Sequence, residues 1–273
     1  MISTLILTKN ESQDIADCLK SVSWCNDVHI LDSYSTDDTV DIAKIYNANI
    51  VQRQFDGYSS QRNFGLNNID YKNNWLLILD ADERIPERLV MQMQHAIKEA
   101  DDLVKGFRIR RRDFLNNTWL KHAQISPFYI RLVKIGKAQY HREVNEVMEI
   151  DGLVADIDGY FDHYPFSKGY SHWLNKHNQY STMEAERWIE EQGGIIDFSL
   201  KKALFSKDFT EKRFHQKGLF YKLPGRPLIK WLYMVVARRA FLDGSAGITY
   251  ATLQAIYEYF IVLKTKELLR KKY

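Results

Sequence analysis

Two carboxylates separated by one alanine follow an apolar stretch in the segment LLILDADER (76–84). Asp80 and Asp82 come directly after five mostly apolar residues (75–79), a pattern typical of a buried strand. Alternation along an extended strand directs both carboxylates to the same side, where they repel unless a cation lies between or beside them. A Mg²⁺ or Mn²⁺ ion would satisfy both acids and would also bind a diphosphate. The alternative is structural, because Asp82 or Glu83 could cap the helix expected to start near Pro86.

Polar side chains also follow other predicted strands at the point where each strand ends. They are Thr8 to Glu11 after the first strand, Asp32 at the end of the second, and Gln61 to Asn63 at the start of the helix before the fourth. Because ligands of parallel sheets bind beyond the carboxyl ends of the strands, we expect these groups to converge on a nucleotide. The first turn, TKNESQ, lacks glycine, which disfavours a G-x-G-x-x-G dinucleotide site, and no Walker P-loop is present.

Strand-like and helix-like patterns alternate through the first hundred residues, as expected for a parallel sheet covered by helices on both faces. The predicted strands are STLILT (3–8), DVHILD (27–32), NIVQRQ (49–54) and WLLILD (75–80). The predicted helices lie within 10–23 behind Asn10 as cap, 35–47 behind Ser35 and Thr36 as cap, 58–69 and 86–100.

The pattern changes in the next hundred residues. GFRIRRRDFL, FYIRLVKI and NEVMEIDGLVADI predict strands with hairpin-like breaks, and a helix returns only over 167–192. The predicted fold class is therefore α/β, with a mostly parallel nucleotide-binding half (1–104) and a more antiparallel half (105–200). Together these halves form the predicted domain 1–200, and residues 201–273 form a separate helical region.

Charge is distributed unevenly along the chain, whose formal net charge is +3. Residues 1–200 carry 22 Lys and Arg against 30 Asp and Glu, whereas residues 201–273 carry 16 against 5. A basic C-terminal quarter indicates either an anionic partner, such as a membrane surface or nucleic acid, or a solvated basic face. Its two apolar, aromatic stretches (227–242 and 247–263) fall short of the ~20 apolar residues of a spanning helix. They are predicted amphipathic helices that either lie in a membrane interface or pack on the domain.

The cysteines and the start of the chain bear on the compartment. Cys18 and Cys25 are too few for a disulfide framework and match no zinc pattern. The opening MISTLILTKNES lacks the basic n-region of a signal peptide. We therefore expect a cytoplasmic protein with reduced cysteines.

Taken in order, several of these stretches resemble the successive motifs of a known enzyme family. LILTKNES, LDSYSTDDTVDIA, QRNFGL and LDADE are similar to motifs of the family 2 glycosyltransferases with a GT-A fold. YHREVNEVMEIDG, DHYPFSKGYSHWLNKHNQYS and RRAFLDGSAG resemble later blocks of its bacterial branch that includes lipopolysaccharide core β-glucosyltransferases. The resemblance covers nearly the whole chain. It implies a GT-A nucleotide-sugar-binding fold and a metal-dependent, inverting transfer of a hexose such as glucose from a UDP-sugar.

The resemblance also assigns roles to individual residues. Thr8, Glu11 and Asp32 match positions that hold the base and ribose, and Arg62 matches a basic position near the donor. Asp80 and Asp82 match the Asp-x-Asp that holds the nucleotide and a divalent metal, Mg²⁺ or Mn²⁺. His163 in FDHYPF is a candidate third metal ligand.

The implied catalytic base is Glu146. The branch carries a Val-His-Glu sequence that here reads Val144-Asn145-Glu146, and Asn145 cannot titrate. Glu143 is the rival base. One carboxylate is enough for an inverting transfer, because it only takes the proton of the attacking acceptor hydroxyl. A second departure is Tyr34 in DSYSTD, where glycine is usual, so we expect a turn that does not need a positive φ.

The expected acceptor is a lipopolysaccharide core, a lipid-linked sugar or a cell-surface polysaccharide, reached by peripheral contact with the inner face of the cytoplasmic membrane. Two other classes of function stay open. One is a non-catalytic protein that binds nucleic acid or a membrane through its basic tail. That tail has the charge but no recognition motif for nucleic acid, so the leading prediction includes no nucleic-acid partner. The other is a metal-dependent nucleotidyltransferase, which would release pyrophosphate.

Overall fold

The computed structural model describes the chain with three internal gaps and a short C-terminal one. The described residues are 1–141, 147–193, 199–206 and 208–271. They form two compact units, the first within residues 1–114 and 126–167 and the second within 115–125 and 168–273. The domain boundary expected at residue 200 stays a prediction.

The strands lie mainly in the first unit. They are β1 (Ile2–Thr8), β2 (Val28–Asp32), β3 (Asn49–Gln52), β4 (Trp75–Asp80), β5 (Glu83–Arg84), β6 (Val104–Leu115), β7 (Thr118–Trp119), β8 (Phe128–Lys134), β9 (Ala138–His141), β10 (Val147–Ile150) and β11 (Leu153–His163).

Four helices belong to the first unit and the later ones to the second. They are α1 (Ile15–Ser21), α2 (Thr39–Ile45), α3 (Tyr58–Asn68), α4 (Glu87–Glu99), α5 (Gly169–Gly193), α6 (Leu200–Phe205), α7 (Phe209–Lys222), α8 (Arg226–Leu232) and α9 (Gly244–Lys271). A π-helical segment (Tyr233–Ala237) and a 3₁₀ turn (Ala240–Asp243) connect α8 to α9.

The predicted parallel sheet is confirmed. In the first unit the strand order is β3-β2-β1-β4-β8-β6-β11-β5, and the first four of these strands are parallel to one another. Apolar side chains of β4 alternate between two cores: Leu77 and Leu79 join one, and Leu76 and Ile78 join the other. A strand buried on both faces reads as a continuous apolar run, which explains the sequence before Asp80.

The antiparallel character of the later strands is confirmed as well. β8 is antiparallel to both β4 and β6, and β9 pairs with β10 in a separate antiparallel ribbon. One pairing differs from a simple series of hairpins, because β11 runs parallel to β6. The chain makes a long crossover through β8, β9 and β10 before it returns, as parallel pairing requires.

The first two helices start later than predicted. We expected Asn10 to cap the first helix and Ser35 or Thr36 the second, but α1 begins at Ile15 and α2 at Thr39. The predicted caps bond to each other across the two turns instead. The Asn10 N–H donates to Ser35 Oγ (2.8 Å), and Asn10 Oδ1 accepts from the Thr36 N–H (2.8 Å). These hydrogen bonds join the turns that follow β1 and β2.

The second unit is built around α9, which packs against α5 and α8. Along α9 the buried apolar side chains are Ala246, Tyr250, Ala251, Leu253 and Ile261. For the stretch 247–263, packing on neighbouring helices is therefore the interpretation that these side chains support. None of the helices in the described parts of the chain has the length and apolar character needed to cross a membrane.

Candidate active site

The strand ends predicted to converge lie side by side. In the sheet register Thr8 pairs with Asp32, and Leu7, its neighbour, pairs with Asp80, so the carboxyl ends of β1, β2 and β4 are adjacent. Thr8 Oγ1 donates to Asp32 Oδ1 at 2.9 Å. Two of the predicted nucleotide residues are thus in contact, one strand away from the Asp-x-Asp motif. This edge is where ligands of open α/β sheets bind.

Asp32 holds the turn that follows β2. Its side chain is fully buried, and it accepts hydrogen bonds from the Ser35 N–H (2.8 Å) and from Gln52 Nε2 (3.0 Å) in addition to Thr8. Burial alone would raise the pKa of Asp32, but these hydrogen bonds lower it below its usual value. Asp32 is therefore an ionised anchor of the turn that borders the predicted base and ribose site.

Tyr34 departs from the expected conformation. It adopts a φ of 56°, the left-handed region that glycine occupies at low cost, so the expectation of a turn without a positive φ was wrong. Lys9 Nζ donates to the carbonyl oxygens of Ser33 (2.7 Å) and Tyr34 (2.6 Å), which holds the strained backbone in place. Strain of this kind costs about 1–3 kcal/mol and persists where the surroundings determine the conformation.

Glu11 lies in the turn after β1. Its backbone N–H donates to Thr39 Oγ1 at 2.7 Å, and its side chain is half-buried. The contact ties this predicted nucleotide residue to the start of α2, beside the turn held by Asp32.

Asp80 is paired with two arginines. Arg62 of α3 donates to Asp80 Oδ1 at 2.8 Å, and Arg131 of β8 donates to Asp80 Oδ2 at 3.2 Å. Burial would raise the pKa of Asp80, but Arg62 and then Arg131 hold it well below its usual range. The guanidinium of Arg62 also lies 5.4 Å from the ring centroid of Tyr140. Positive charge is therefore fixed beside the first acid of the motif.

Asp82 faces His163 rather than Asp80. His163 Nε2 lies 3.3 Å from Asp82 Oδ2, and His163 Nδ1 lies 2.5 Å from Asp113 Oδ1. Arg111 Nε in turn contacts Asp113 at 2.9 Å. Burial would lower the pKa of His163, but Asp82 and Asp113 raise it to about 9. Asp113 thus orients the ring, so that Nε2 is the nitrogen directed at Asp82.

The side chains that could coordinate a metal fit a divalent ion that brings further ligands with it. No three His, Cys, Asp or Glu side chains come together as a metal site anywhere in the described residues. Asp82 and His163 supply one carboxylate and one imidazole nitrogen, whereas Asp80 is paired with arginines. Mg²⁺ keeps several waters and binds substrate phosphates, and imidazole and carboxylate ligands both suit first-row ions. Because the pKa of His163 is raised, its Nε2 carries a proton in the pair with Asp82, and an ion that reaches this pair on a diphosphate would have to displace that proton.

Three residues of the cluster were missed from the sequence, namely Arg131, Glu83 and Asp113. Each is nearly fully buried. Glu83 Oε2 accepts from the Asp80 N–H at 3.0 Å, and its Oε1 pairs with Arg131 at 2.5 Å. A charged residue inside an apolar run, as in FYIRLVKI, is the signal that could have identified Arg131.

The predicted base Glu146 and its rival Glu143 lie outside the described residues. The residues that flank the gap are described: His141 of β9 pairs with Val147 of β10. Asn63, the neighbour of Arg62 in α3, clamps β9, because Asn63 Nδ2 donates to the Tyr140 carbonyl (2.8 Å) and Asn63 Oδ1 accepts from the Tyr140 N–H (2.7 Å). The ribbon is thereby held to the helix that carries Arg62.

Known proteins are similar in sequence to this chain over most of its length. The Glycosyl transferase family 2 model matches residues 3–143, slightly more than half of the chain. The lipopolysaccharide core biosynthesis glycosyltransferase LpsC of Rhizobium meliloti (strain 1021) is 24% identical over 96% of this chain and 91% of that protein. An uncharacterised glycosyltransferase of Rickettsia prowazekii (strain Madrid E) is 27% identical over 80% of this chain and 79% of its own length.

A partial match also exists among solved structures. Glucosyl-3-phosphoglycerate synthase from Mycobacterium tuberculosis, crystallised with Mn²⁺, uridine diphosphate and glucosyl-3-phosphoglycerate, is 21% identical, with a TM-score of 0.36. The match covers 41% of this chain and 44% of that chain, so it spans less than half of the solved structure.

Proposed function

The chain belongs to glycosyl transferase family 2, and we propose that it is an inverting enzyme that transfers a hexose, such as glucose, from a UDP-sugar. The proposed acceptor is a lipopolysaccharide core or another lipid-linked or cell-surface polysaccharide. The observation that carries this proposal is the cluster at the ends of β1, β2 and β4, where Asp80 is paired with Arg62 and Arg131, and Asp82 with His163. It combines fixed positive charge with a carboxylate and imidazole pair, which is the chemistry that recognises a diphosphate.

The donor is bound by this chain's residues in two places. Thr8, Glu11 and the turn held by Asp32 border the base and ribose, and Arg62 stands near the diphosphate. Asp82 and His163 would hold a Mg²⁺ or Mn²⁺ ion, which when bound stabilises negative charge on the departing diphosphate. Asp113 keeps His163 oriented for this role.

Glu146 is the proposed base. The acceptor oxygen attacks the anomeric carbon from the face opposite the leaving group. As it does so, the Glu146 carboxylate takes the proton of the acceptor hydroxyl. The C–O bond to the diphosphate then breaks, and the nucleoside diphosphate leaves. Support comes from the Val144-Asn145-Glu146 register and from the clamp between Asn63 and Tyr140, which holds the ribbon ending at His141 beside the Arg62 helix.

The acceptor and location are part of the proposal. The similarity to LpsC over 96% of this chain favours a lipopolysaccharide-core acceptor. We also propose that the reaction takes place at the inner face of the cytoplasmic membrane, with no nucleic-acid partner.

A thermal-shift panel tests the donor proposal directly. The full chain is heated with uridine diphosphate, UDP-sugars and other nucleoside diphosphates, with Mg²⁺, Mn²⁺ or excess chelator. Ligand at a hundredfold excess over Kd should stabilise the fold by about 2.7 kcal/mol, and we expect this only for uridine nucleotides with metal. Release of pyrophosphate would instead indicate a nucleotidyltransferase. Absence of nucleotide binding together with salt-sensitive RNA binding would indicate a binding protein.

The base is tested with a matched pair of variants. Glu146→Gln keeps the shape of the side chain but removes its basicity, so UDP-sugar affinity should persist while turnover falls by ~10²–10⁴-fold. Glu143→Gln, three residues away, should have a much smaller effect. A silent Glu146→Gln, or a larger loss in Glu143→Gln, would assign the base to Glu143.

A further inference from the structure

The segment from α8 to the 3₁₀ turn has one face turned into the second unit. Arg226, Met234 and Ala240 are nearly fully buried. Arg226 Nε lies 2.8 Å from Glu258 Oε1 of α9, and its guanidinium lies 4.2 Å from the ring centroid of Tyr221. A buried ion pair of this kind fixes how the segment is rotated against α9, and so fixes which side chains face outward.

Most of the outward side chains of the segment are apolar. Their exposed fractions are 63% for Leu228, 46% for Leu232, 56% for Tyr233, 65% for Val236, 52% for Phe241 and 54% for Leu242. The first four recur at i, i+4, i+5 and i+8, so they share one stripe of the helix. An exposed apolar stripe on a packed domain marks a surface that meets another apolar phase or partner.

The sequence around this stripe is basic. Residues 212–242 contain eight Lys and Arg residues and no Asp or Glu, but one of the eight, Arg226, is buried against Glu258 and adds no surface charge. Lys230 and Arg239 lie within the segment itself, Lys230 half-buried and Arg239 exposed. Long basic side chains beside an apolar stripe are the composition of helices that lie in the interface of an anionic bilayer. A second copy of the chain would bring the same positive charge to this surface, which disfavours self-association.

We propose that residues 226–242 form the membrane-contacting surface of this protein, with the stripe of Leu228, Leu232, Tyr233 and Val236 inserted below the headgroups of an anionic bilayer. Phe241 and Leu242 extend the apolar contact, and Lys230 and Arg239 meet lipid phosphates. α9 packs against this segment, and its Tyr250, Leu253 and Ile261 are buried. Its Ile256, Tyr259 and Leu263 are 36%, 51% and 44% exposed and are not part of the proposed surface. The proposal locates the membrane contact of the proposed transferase, but lipid binding is measured without any catalytic readout.

Vesicle flotation of the full chain tests the proposal. Vesicles of phosphatidylcholine alone are compared with vesicles that contain phosphatidylglycerol. The double variant Leu232→Asp/Val236→Asp removes the apolar stripe and adds negative charge, so partition to anionic vesicles should fall roughly tenfold or more. The control Ile45→Asp/Met91→Asp changes two exposed apolar side chains (76% and 61%) in the first unit and should bind like the unmodified chain.

The outcomes separate the alternatives. Preference for anionic vesicles that the first double variant loses and the control keeps supports the proposal. Equal flotation with neutral and anionic vesicles, or equal loss in both double variants, overturns it. A third outcome combines two results: the unmodified chain does not float with vesicles but sediments as a dimer, and Leu232→Asp/Val236→Asp is a monomer. That outcome would assign the stripe to self-association. A melting temperature unchanged by the substitutions excludes misfolding as the cause. UDP-sugar binding is measured separately, so a failure of the membrane proposal is distinguishable from a failure of the proposed function.

Discussion

At the scale of single residues, Glu83 connects Asp80 with Arg131 in the candidate site. It accepts the Asp80 N–H through one carboxylate oxygen and pairs with Arg131 through the other. Burial, opposed by Arg131, raises the pKa of Glu83 to about 7. Asp80, Glu83 and Arg131 thus form a buried network whose geometry exists before any ligand binds. Such preorganisation would lower the cost of binding the diphosphate that we propose for this site.

Asp82 is the residue on which metal-dependent binding of uridine diphosphate should depend. Asp82→Asn removes the carboxylate charge that faces His163 while keeping the size of the side chain. Loss of a carboxylate ligand should weaken metal-supported nucleotide binding by at least the 10–100-fold typical of second-shell changes. Isothermal titration calorimetry, in the presence of Mn²⁺ or of chelator, measures the affinity for uridine diphosphate.

Asp41→Asn is the matched control for that measurement. Asp41 is an exposed acid of α2 whose partner is Lys44, so its loss should leave nucleotide affinity unchanged. Unchanged affinity of Asp82→Asn, or equal binding by the unmodified chain in chelator, would contradict the metal assignment.

At the scale of elements, the two turns after β1 and β2 form a single hydrogen-bonded unit. Asp37 is its central acceptor: its carboxylate accepts from the Thr39 N–H (3.1 Å) and Oγ1, and from the Ser12 N–H (3.1 Å). The start of α2 is therefore positioned by a side chain two residues outside the helix and by the turn of a neighbouring strand. This explains why local capping rules misplaced both helix starts.

The pKa of Asp37 predicts a pH-dependent contribution to stability. Partial burial would raise this pKa, but hydrogen bonds from Thr39 and Ser12 lower it to about 2. A depressed folded-state pKa contributes stability that is complete above the unfolded value of about 3.9 and is lost as pH falls through the folded value. Asp37→Asn should therefore be less stable than the unmodified chain at pH 6, and the difference should shrink between pH 4 and 2.

Urea unfolding across this pH range measures the difference. Asp17→Asn is the control, because Asp17 is an exposed acid whose partner is Lys20 within α1. A stability difference for Asp37→Asn that stays constant from pH 6 to pH 2 would rule out the assigned hydrogen bonds.

At the scale of the whole molecule, the chain forms two compact units with different organising principles. In the first, a sheet sandwiched between two apolar cores positions charged groups at its edge. In the second, helices pack around α9, and a buried pair between Arg226 and Glu258 lies among them. Burying two charges is costly, so such a pair contributes orientation more than net stability.

The second unit should depend strongly on that pair remaining complete. Glu258→Ala leaves the Arg226 guanidinium buried without its carboxylate, which should cost about 3–5 kcal/mol of unfolding free energy. Glu186→Ala, an exposed acid of α5, is the control and should cost little. The double variant Arg226→Met/Glu258→Leu should recover most of the loss. Urea unfolding followed by tryptophan fluorescence measures all three, and a Glu258→Ala protein as stable as the control would contradict the buried pair.

Local pattern alone determined the parallel half of the fold and the first part of the site. Apolar runs such as 75–79 have the signature of strands buried on both faces, and the Asp80-Ala81-Asp82 spacing marks where such a strand ends. The helix over 167–192 was predicted as well, because apolar periodicity is a property of neighbouring residues. The family motifs added the expectation that Thr8, Asp32 and Arg62 lie near these acids, and the adjacent strand ends agree with it.

Only the tertiary structure decided which distant residues complete the cluster. Arg131 reaches Asp80 because β8 inserts next to β4, and Asp113 reaches His163 because β6 and β11 are neighbours in register. Strand order is set by packing and loop closure over the whole chain, and periodicity within one segment contains no information about it. The positive φ of Tyr34 was likewise decided by contacts from Lys9, since local preference opposes it. The sequence determines which side chains are present at each strand end, whereas the tertiary structure determines which side chains they contact.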